Sequence, residues 1–529
     1  MKTSFTDFTL DVFEKNADIG GTWFENRYPG CACDVPSHIY TYSFEPKWDW
    51  SANYPSSREI CEYFSNFADK YGLRGYIKLR HKIVGARWDD DSSEWIIEVL
   101  DPHGNIFEKR SDFFISAAGI LNSWRWPDIR GLNSFQGHVL HTANWEESVD
   151  LIGKRVGLIG NGSSAIQVLP SIQPVTEHVT TFNRNPTWIS TPWGEEYRTY
   201  SEEEKREFRD KPGALLKLRR DTERGLLVFF PLLLRESQAQ KDAVQSVMDE
   251  MKRKINDDDL AQKLIPDYPV GCRRLSPGPN YLESLTKSNV TTFYGGIKEV
   301  TPTGCVTDDD QEHHFDVLIC ATGFDTSYRP QFPIVGRNEV DLRREWKDEP
   351  RSYLGLAAHG FPNFFMLLGP NNPIGNGPLL ICMELTASYI ATLMNRWQKQ
   401  NIRSFDPKKE AVDDFMEQKD LFMQKAVWSS NCKSWYKSGP TGKVTAVWPG
   451  SSHHYMETVA QPRYEDYEIT YTTTNRFAYL GNGFSQMELN PNLDPVHYIR
   501  EMDDGRSMFP ELMSTFNVKD IGDKLKNVS

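Results

Sequence analysis

The 529-residue sequence has little of what marks secreted, membrane or nucleic-acid-binding proteins. Its 8 cysteines are irregularly spaced, which excludes a disulfide framework and favours a reducing, cytoplasmic compartment. The longest apolar run, residues 225–234, contains Pro231 and is far shorter than the roughly 20 residues of a transmembrane helix. The run predicts a buried helix or loop wall, with shallow membrane-surface contact as the alternative. Acidic residues outnumber basic ones by 73 to 60, so the net charge of −13 argues against a nucleic-acid binder.

Aromatic residues, by contrast, are plentiful. The chain has 15 Trp, 22 Tyr and 29 Phe, enough to build packed cores and to exclude wholesale disorder. At roughly 100–200 residues per domain, the length predicts two to four structural units. Residues 201–262 and 384–424 have mostly helical patterns, and the first of these segments resembles a helical insertion.

A strand, a glycine turn and an apolar helix follow one another from residue 155. Gly160 allows a tight turn, Gly162 allows backbone to approach a pyrophosphate, and Ala165 allows helix and strand to pack closely. The segment predicts a dinucleotide site at the helix N-terminus, and a purely structural turn is the alternative. Its predicted cofactor-binding residues are Gly160, Asn161, Gly162, Ser163, Ser164 and Ala165.

The strand that follows, residues 179–183, ends without an acidic residue. An acid at that point would bind the ribose 2′-hydroxyl of NAD, whereas a basic residue accepts the 2′-phosphate of NADP. Arg184 occupies the place and favours NADP. A plain surface arginine is the competing interpretation.

A second nucleotide site is only half visible. Glu14 ends a short strand, where a carboxylate would bind the adenosine ribose of FAD, but no G-x-G-x-x-G motif precedes it. A full unit needs roughly 25–35 further residues on its N-terminal side. We therefore expect a first glycine turn to be missing, through a lost exon or a truncation.

Three motifs in chain order resemble those of the Baeyer–Villiger monooxygenases. Residues 135–145 (FQGHVLHTANW) match the fingerprint F-x-G-x-x-x-H-x-x-x-W of that family. Residues 20–34 resemble its flavin-proximal loop, and residues 320–325 (CATGFD) resemble its second hinge motif. The segments GCRRLSPG, WPGSS and FAYLGNGFS are most similar to the fungal, secondary-metabolism branch.

The resemblance implies an α/β fold with two Rossmann-like dinucleotide-binding domains, one for FAD and one for NADP. It also implies that NADPH, FAD and O2 are used to convert a small-molecule ketone to an ester or lactone. Arg274 matches the catalytic arginine, and Asp34 matches the acid that pairs with it and orients it. An arginine keeps its proton at any working pH, so it can hold a negatively charged oxygen species and polarise a carbonyl.

Further positions match the family's cofactor contacts. Arg273 matches a residue that contacts the NADP 2′-phosphate; the alternative is that Arg273 and Arg274 form a solvated arginine pair. Trp435 matches a residue that hydrogen-bonds the nicotinamide ribose; the alternative is an ordinary half-buried aromatic. Glu14 and Asp34 are predicted cofactor-binding residues, and the resemblance implies flavin contacts also for Thr22, Trp23, Tyr40, Val84 and Thr322. His141 is interpreted as a hinge residue between the domains. His453 and His454 have no accompanying Cys or carboxylate cluster, so no metal site is predicted.

We expect the first part of the FAD domain at 1–147, incomplete at its N-terminus, and the first part of the NADP domain at 148–195. The helical insertion follows at 196–270, the rest of the NADP domain at 271–325, and the second part of the FAD domain with the C-terminal region at 326–529. Two alternatives stay open: oxygenation at nitrogen or sulfur by a related flavin enzyme, and an inactive NADP-binding homologue.

Overall fold

A computed structural model describes residues 5, 7–190, 196–496, 498 and 499 of the chain. The ends of three predicted domain segments, at residues 1–4, 191–195 and 500–529, lie outside this part. The domain boundaries themselves stay predictions.

The strands are short and spread along the whole described chain. They are β1 Val12–Glu14, β2 Ile77–Leu79, β3 Lys82–Asp89, β4 Glu94–Leu100, β5 Ile106–Ser111, β6 Phe114–Ser116, β7 His138–His141, β8 Arg155–Ile159, β9 His178–Asn183, β10 Ile189–Ser190, β11 Ser276–Pro277, β12 Val290–Tyr294, β13 Ile297–Thr301, β14 Gly304–Thr307, β15 Glu312–His314, β16 Val317–Cys320, β17 Ile334–Val335, β18 Phe364–Met366, β19 Ile402–Pro407 and β20 Tyr467–Tyr471.

The helices concentrate in three stretches, near residue 60, between 200 and 265, and after 378. They are α1 Thr22–Glu25, α2 Ser57–Lys70, α3 Ser163–Ile172, α4 Glu202–Asp210, α5 Ala214–Leu227, α6 Gln238–Ile255, α7 Asp258–Leu264, α8 Tyr281–Leu285, α9 Leu342–Glu345, α10 Leu379–Lys399, α11 Lys409–Met423, α12 Ser452–Thr458 and α13 Gln486–Leu489.

A five-stranded parallel sheet carries the predicted NADP-type turn. Its strand order is β12-β9-β8-β16-β7. The three central strands β9, β8 and β16 are largely buried, as expected for a parallel sheet covered on both sides. Cys320 at the end of β16 is in register with Ile159 of β8 and His141 of β7, so three strands end at one edge. Ligands of open parallel sheets bind at this carboxyl edge.

The segments predicted to bind FAD form smaller ladders. Strands β1 and β2 are paired in parallel, and so are β6 and β18. Beside them lies the mostly antiparallel sheet β17-β3-β4-β5. The lack of a glycine turn upstream of Glu14 stays a prediction from the sequence.

Two features of the structure were not predicted from the sequence. Strand β7, where no strand was predicted, is an edge strand of the five-stranded sheet and pairs with β16. The stretch 384–424 is mostly helical, as predicted, but β19 lies between its two helices, since Asn401 adopts a left-handed conformation (φ 51°) and β19 then pairs with β20. The helical insertion itself is present as α4 to α7.

One apolar core joins the elements around the site. It contains Ala165 and Leu169 of α3, Met251 of α6, and Trp428 and Tyr436 of the C-terminal part. Leu232 and Leu233 of the apolar run 225–234 are buried in it, whereas Val228 is 69% exposed. Loops from distant parts of the chain therefore meet over α3.

Candidate active site

Arg274 and Asp34 form a two-pronged ion pair across 240 residues of sequence. Arg274 Nε donates to Asp34 Oδ2 at 2.8 Å, and Nη2 donates to Oδ1 at 2.9 Å. Arg274 Nη1 donates to the carbonyl of Ile374 at 2.6 Å. Both charged side chains are about a quarter exposed, at 28% and 25%. Such a pairing fixes the plane of the guanidinium as well as its position.

The guanidinium keeps its positive charge. Burial alone would lower the pKa of Arg274, but the charge of Asp34 and the hydroxyl of Tyr436 outweigh burial and raise it. Burial raises the pKa of Tyr436, although Arg274 opposes this shift. At any working pH the site therefore presents a fixed cation beside a neutral phenol.

The loop that carries Asp34 is docked onto helix α3. Tyr28 Oη donates to Gln167 Oε1 at 2.8 Å, and Gln167 Nε2 donates to the carbonyl of Ala32 at 2.9 Å. Gly30 has φ 82°, and a Cβ there would lie 2.4 Å from the carbonyl oxygen of Gln167. The close approach requires glycine and ties the Asp34 loop to the predicted NADP helix.

The glycine turn has the geometry that its motif predicts. Gly160 has φ 113°, and a Cβ there would lie 2.5 Å from the carbonyl oxygen of Ala321. Gly162 is the N-cap of α3, no side chain caps the helix, and a Cβ on Gly162 would meet nothing within 4 Å. Ala165 is fully buried. The first turn of α3 thus has no side-chain cap and open space over Gly162, the arrangement that binds a pyrophosphate.

The other residues of the turn form hydrogen bonds with neighbouring segments. Asn161 Nδ2 donates to the carbonyl of Asn185 at 2.5 Å, which holds the loop after β9. Ser163 Oγ lies 2.5 Å from Ser276 Oγ, two residues beyond Arg274. Ser164 is partly exposed in the first turn of α3. The turn is therefore joined directly to the arginine segment.

Two predicted phosphate-binding arginines flank the end of β9. Arg184 is exposed immediately after the strand. Arg273 Nη1 donates to the carbonyl of Pro186 at 3.3 Å. Both cations thus lie by the loop 183–186, which fits the predicted preference for a 2′-phosphate.

The predicted flavin residues form two groups. Trp23 of α1 donates its indole N–H to Tyr40 Oη at 3.1 Å, with Thr22 preceding it, close to the Asp34 loop. Glu14 lies at the end of β1, where Asn16 N donates to its carboxylate at 2.7 Å. Val84 lies at a bulge of β3, between Ile83 and Gly85. Within the described chain, no hydrogen bond or ion pair joins Glu14, Val84 or Arg184 to the Arg274–Asp34 pair.

Two further predicted cofactor contacts, Thr322 and Trp435, lie in different parts of the chain. His141 Nε2 is 3.2 Å from Thr322 Oγ1 at the carboxyl edge of the sheet. Burial lowers the pKa of His141 to about 4, so the ring is neutral at working pH. Trp435 is partly exposed, with its ring centroid 4.5 Å from that of Tyr436.

Sequence reasoning missed three features of the site. Tyr436 contacts Arg274, and its only signal was its place after Trp435. The Ile374 carbonyl has no sequence signal, because any residue supplies one. Cys272 and Cys432 form a disulfide, a correction to the expectation of reduced cysteines; the other cysteines are free.

Comparisons with known proteins identify the family. The pattern of the family described as "FMO-like: Flavin-binding monooxygenase-like" matches residues 6–200. The FAD-binding monooxygenase tazF of Aspergillus terreus is 39% identical over 503 residues, covering 93% of this chain and 89% of tazF. The chain belongs to the flavin-binding monooxygenase family.

Two further matches support the resemblance to Baeyer–Villiger monooxygenases. A Baeyer–Villiger monooxygenase of Streptomyces coelicolor is 33% identical over 472 residues, covering 88% of this chain and 89% of that protein. The crystal structure of cyclohexanone monooxygenase from Rhodococcus sp. Phi1 bound to NADP+ has a TM-score of 0.77 and 27% identity, covering 88% of this chain and 94% of that one. The predicted resemblance and the predicted fold class are confirmed.

Across residues 5–499, apart from the undescribed positions, no helix is both long and apolar enough to cross a bilayer.

Proposed function

We propose that this flavin-dependent monooxygenase inserts one oxygen atom of O2 beside a ketone carbonyl and releases an ester or lactone. FAD and NADPH are its cofactors, in agreement with the FAD-binding relative and the NADP-bound structural neighbour. The observation that carries the proposal is the Arg274–Asp34 pair, set between the glycine turn and the Trp23–Tyr40 pair. A fungal secondary metabolite is the proposed substrate class, and the cytoplasmic location stays a prediction.

The residues present fit NADP, and they fit the adenosine ribose and the flavin of FAD, whereas the sequence has no glycine motif before Glu14 for the FAD pyrophosphate. The uncapped N-terminus of α3, the open space over Gly162 and the cations Arg184 and Arg273 suit NADP. Glu14 at a strand end suits an adenosine ribose. Thr22, Trp23, Tyr40, Val84 and Thr322 are the proposed flavin contacts, and Trp435 the proposed contact of the nicotinamide ribose. Bound flavin, once reduced by NADPH, supplies the activation of O2.

Arg274 performs the electrostatic work in this proposal. Three of its five N–H groups donate to Asp34 and Ile374, which leaves the cation no freedom to turn. Polarising the ketone oxygen falls to the N–H groups that do not bond these partners. Because the guanidinium is already oriented, it stabilises developing negative charge without reorganisation.

Oxygen-18 labelling tests the reaction. Purified protein with FAD, NADPH and 18O2 is offered a panel of ketones and thioethers, and the products are analysed by mass spectrometry. We expect esters or lactones that carry one 18O atom, and their loss in Arg274→Ala. As matched control, Arg351→Ala removes a surface arginine paired with Asp413, and it should retain activity.

Other outcomes of the same experiment point to the alternatives. An Arg274→Ala enzyme that still forms S-oxides, with no ester from any variant, favours oxygenation at sulfur or nitrogen. A colourless protein that binds NADP+ but takes up no FAD favours an inactive homologue.

A further inference from the structure

We propose that Cys272 and Cys432 are a redox modification site, whose disulfide holds Arg273 and Arg274 in their binding geometry and whose reduction loosens them. The inference rests on the proposed function for its effect on ester synthesis. The two sulfur atoms are bonded across a sequence separation of 160 residues, and the Cα atoms are 6.4 Å apart. Cys272 is fully buried, and Cys432 is 8% exposed.

The bond joins the two loops that surround the guanidinium. Cys272 immediately precedes Arg273 and Arg274, and Cys432 precedes the neighbouring pair Trp435 and Tyr436. Residues 271–275 and 430–435 lie outside helices and strands, so regular secondary structure does not fix them. A covalent link is therefore the strongest restraint between the segments.

The disulfide closes a ring of contacts around Arg274. From Cys432 the chain leads to Tyr436, whose carbonyl accepts from Thr445 N at 2.9 Å and Ala446 N at 3.2 Å. The Ala446 carbonyl accepts from Asn372 N at 3.1 Å. Ile374 N donates to the Asn372 carbonyl at 2.8 Å, and the Ile374 carbonyl accepts from Arg274. Every other link between chain segments in this ring is a hydrogen bond, so the disulfide is the one that a change of redox state can open.

The modification is a thiol–disulfide exchange. A thiolate of an external dithiol attacks Cys432 Sγ, the more exposed residue of the pair, and Cys272 leaves as a thiolate that is then protonated. The second thiol of the reagent resolves the mixed disulfide and releases Cys432. Two electrons and two protons pass from the dithiol to the protein, and the oxidised dithiol reverses the step.

Thiol counting tests the bond itself. Unreduced enzyme, denatured and alkylated, should carry six labels, because Cys31, Cys33, Cys61, Cys305, Cys320 and Cys382 are free. Enzyme treated with dithiothreitol should carry eight, the full number of cysteines. Peptide mapping that finds Cys272 and Cys432 alkylated in enzyme pre-equilibrated with oxidised dithiothreitol overturns the proposal.

The functional effect is measured as NADP+ affinity and as ester synthesis by the flavin-loaded enzyme. Reduction should weaken NADP+ binding about tenfold and slow ester synthesis about 10- to 100-fold, since a displacement of about 1 Å has effects of this size. Reoxidation should restore both values, which separates the effect from misfolding. The double variant C272S/C432S should behave as the reduced enzyme and no longer respond to dithiothreitol.

Cys305→Ala is the matched control, because Cys305 is a buried free thiol of β14, away from the site. It should retain the response to dithiothreitol. An NADP+ affinity that is the same in oxidised and reduced wild type overturns the proposal, whether or not the double variant folds. Oxidised enzyme that binds NADP+ normally but makes no ester contradicts the proposed reaction alone, because the affinity measurement involves no ketone.

Discussion

At the scale of single residues, the pairing of Arg274 with Asp34 separates two tasks. Arg274 carries the charge, whereas Asp34 uses both carboxylate oxygens to hold its orientation. Lysine would not reproduce this geometry, because an ammonium group is a point charge without the planar fork of guanidinium. Changing Asp34 should therefore disturb the orientation of the cation, whereas changing Arg274 should alter the charged group itself.

Replacing Asp34 with Asn keeps the shape of the side chain and removes its charge. We expect ester formation to fall roughly 100-fold, the usual effect of losing one oriented electrostatic group, with a smaller effect on NADPH affinity. Gas chromatography of the ester and titration with NADPH measure the two quantities. Asp413→Asn, which breaks an exposed ion pair with Arg351, is the control; equal losses in both variants would contradict a specific role for Asp34.

At the same scale, we expect Arg184 and Arg273 to determine the preference for NADPH over NADH. Arg184→Ala and Arg273→Ala should each raise the KM for NADPH roughly 10- to 100-fold, the value of one charge-assisted hydrogen bond, and leave the KM for NADH unchanged. Steady-state kinetics with both cofactors measure this. Arg206→Ala on exposed α4 is the control. A parallel rise for NADPH and NADH would show that neither arginine reads the 2′-phosphate.

At the scale of elements, the carboxyl edge of the five-stranded sheet assembles the site. Three strands end together there, and Gly160, His141 and Thr322 lie at or directly beyond their ends. Helix α3 then presents its N-terminus on one side and binds the Asp34 loop through Gln167 on the other. The same helix therefore positions both the predicted nucleotide and the carboxylate.

Gly160→Ala should disrupt this edge. The residue has φ 113°, and the new Cβ would lie 2.5 Å from backbone, so we expect about 1–3 kcal/mol lower stability and loss of NADP+ binding. Thermal unfolding with and without NADP+ measures both effects. Gly225→Ala in α5, where a Cβ meets nothing within 4 Å, should keep the NADP+-induced stabilisation. A Gly160→Ala protein that binds NADP+ normally would contradict the assigned turn.

His141 should make the free energy of unfolding depend on pH. Burial lowers its pKa to about 4 from an ordinary value of 6.5, so the unfolded chain takes up the proton first as the pH falls. The stability present above pH 6.5 is lost between pH 6.5 and pH 4, by about 3 kcal/mol. Urea unfolding at pH 7.5 and 4.5 measures this loss. His141→Gln should reduce it and exposed His103→Gln should not; an unchanged loss in His141→Gln would refute the assignment.

Local patterns predicted much of the fold, because strands and the glycine turn are encoded by adjacent residues. Strand β8 begins at the predicted residue 155, and the predicted glycine turn and helix follow it. The membership of β7 in the five-stranded sheet was missed, because sheet order depends on distant partners. The Arg274–Asp34 pair was predicted through resemblance, since no local pattern connects residues so far apart. Tyr436, the Ile374 carbonyl and the disulfide arise from tertiary packing and had no comparable signal.

At the scale of the whole molecule, the proposed reaction depends on three loops meeting above α3. The loops come from residues 28–37, 271–275 and 371–376, and the disulfide joins the segment 431–437 to the second of them. They belong to segments predicted to lie in different domains, so the proposed site coincides with the predicted junction between the domains. Flavin reduction and oxygen transfer should therefore respond differently to changes at this junction.

The role of the oriented guanidinium is tested by the ratio of ester formed to NADPH consumed, measured in wild type and in Arg274→Lys under identical O2 and ketone concentrations. We expect a ratio near one for wild type. For Arg274→Lys we expect a ratio lower by roughly 100-fold, with continued NADPH oxidation and release of H2O2. Equal ratios in the two enzymes would contradict the claim that an oriented guanidinium directs oxygen to the ketone.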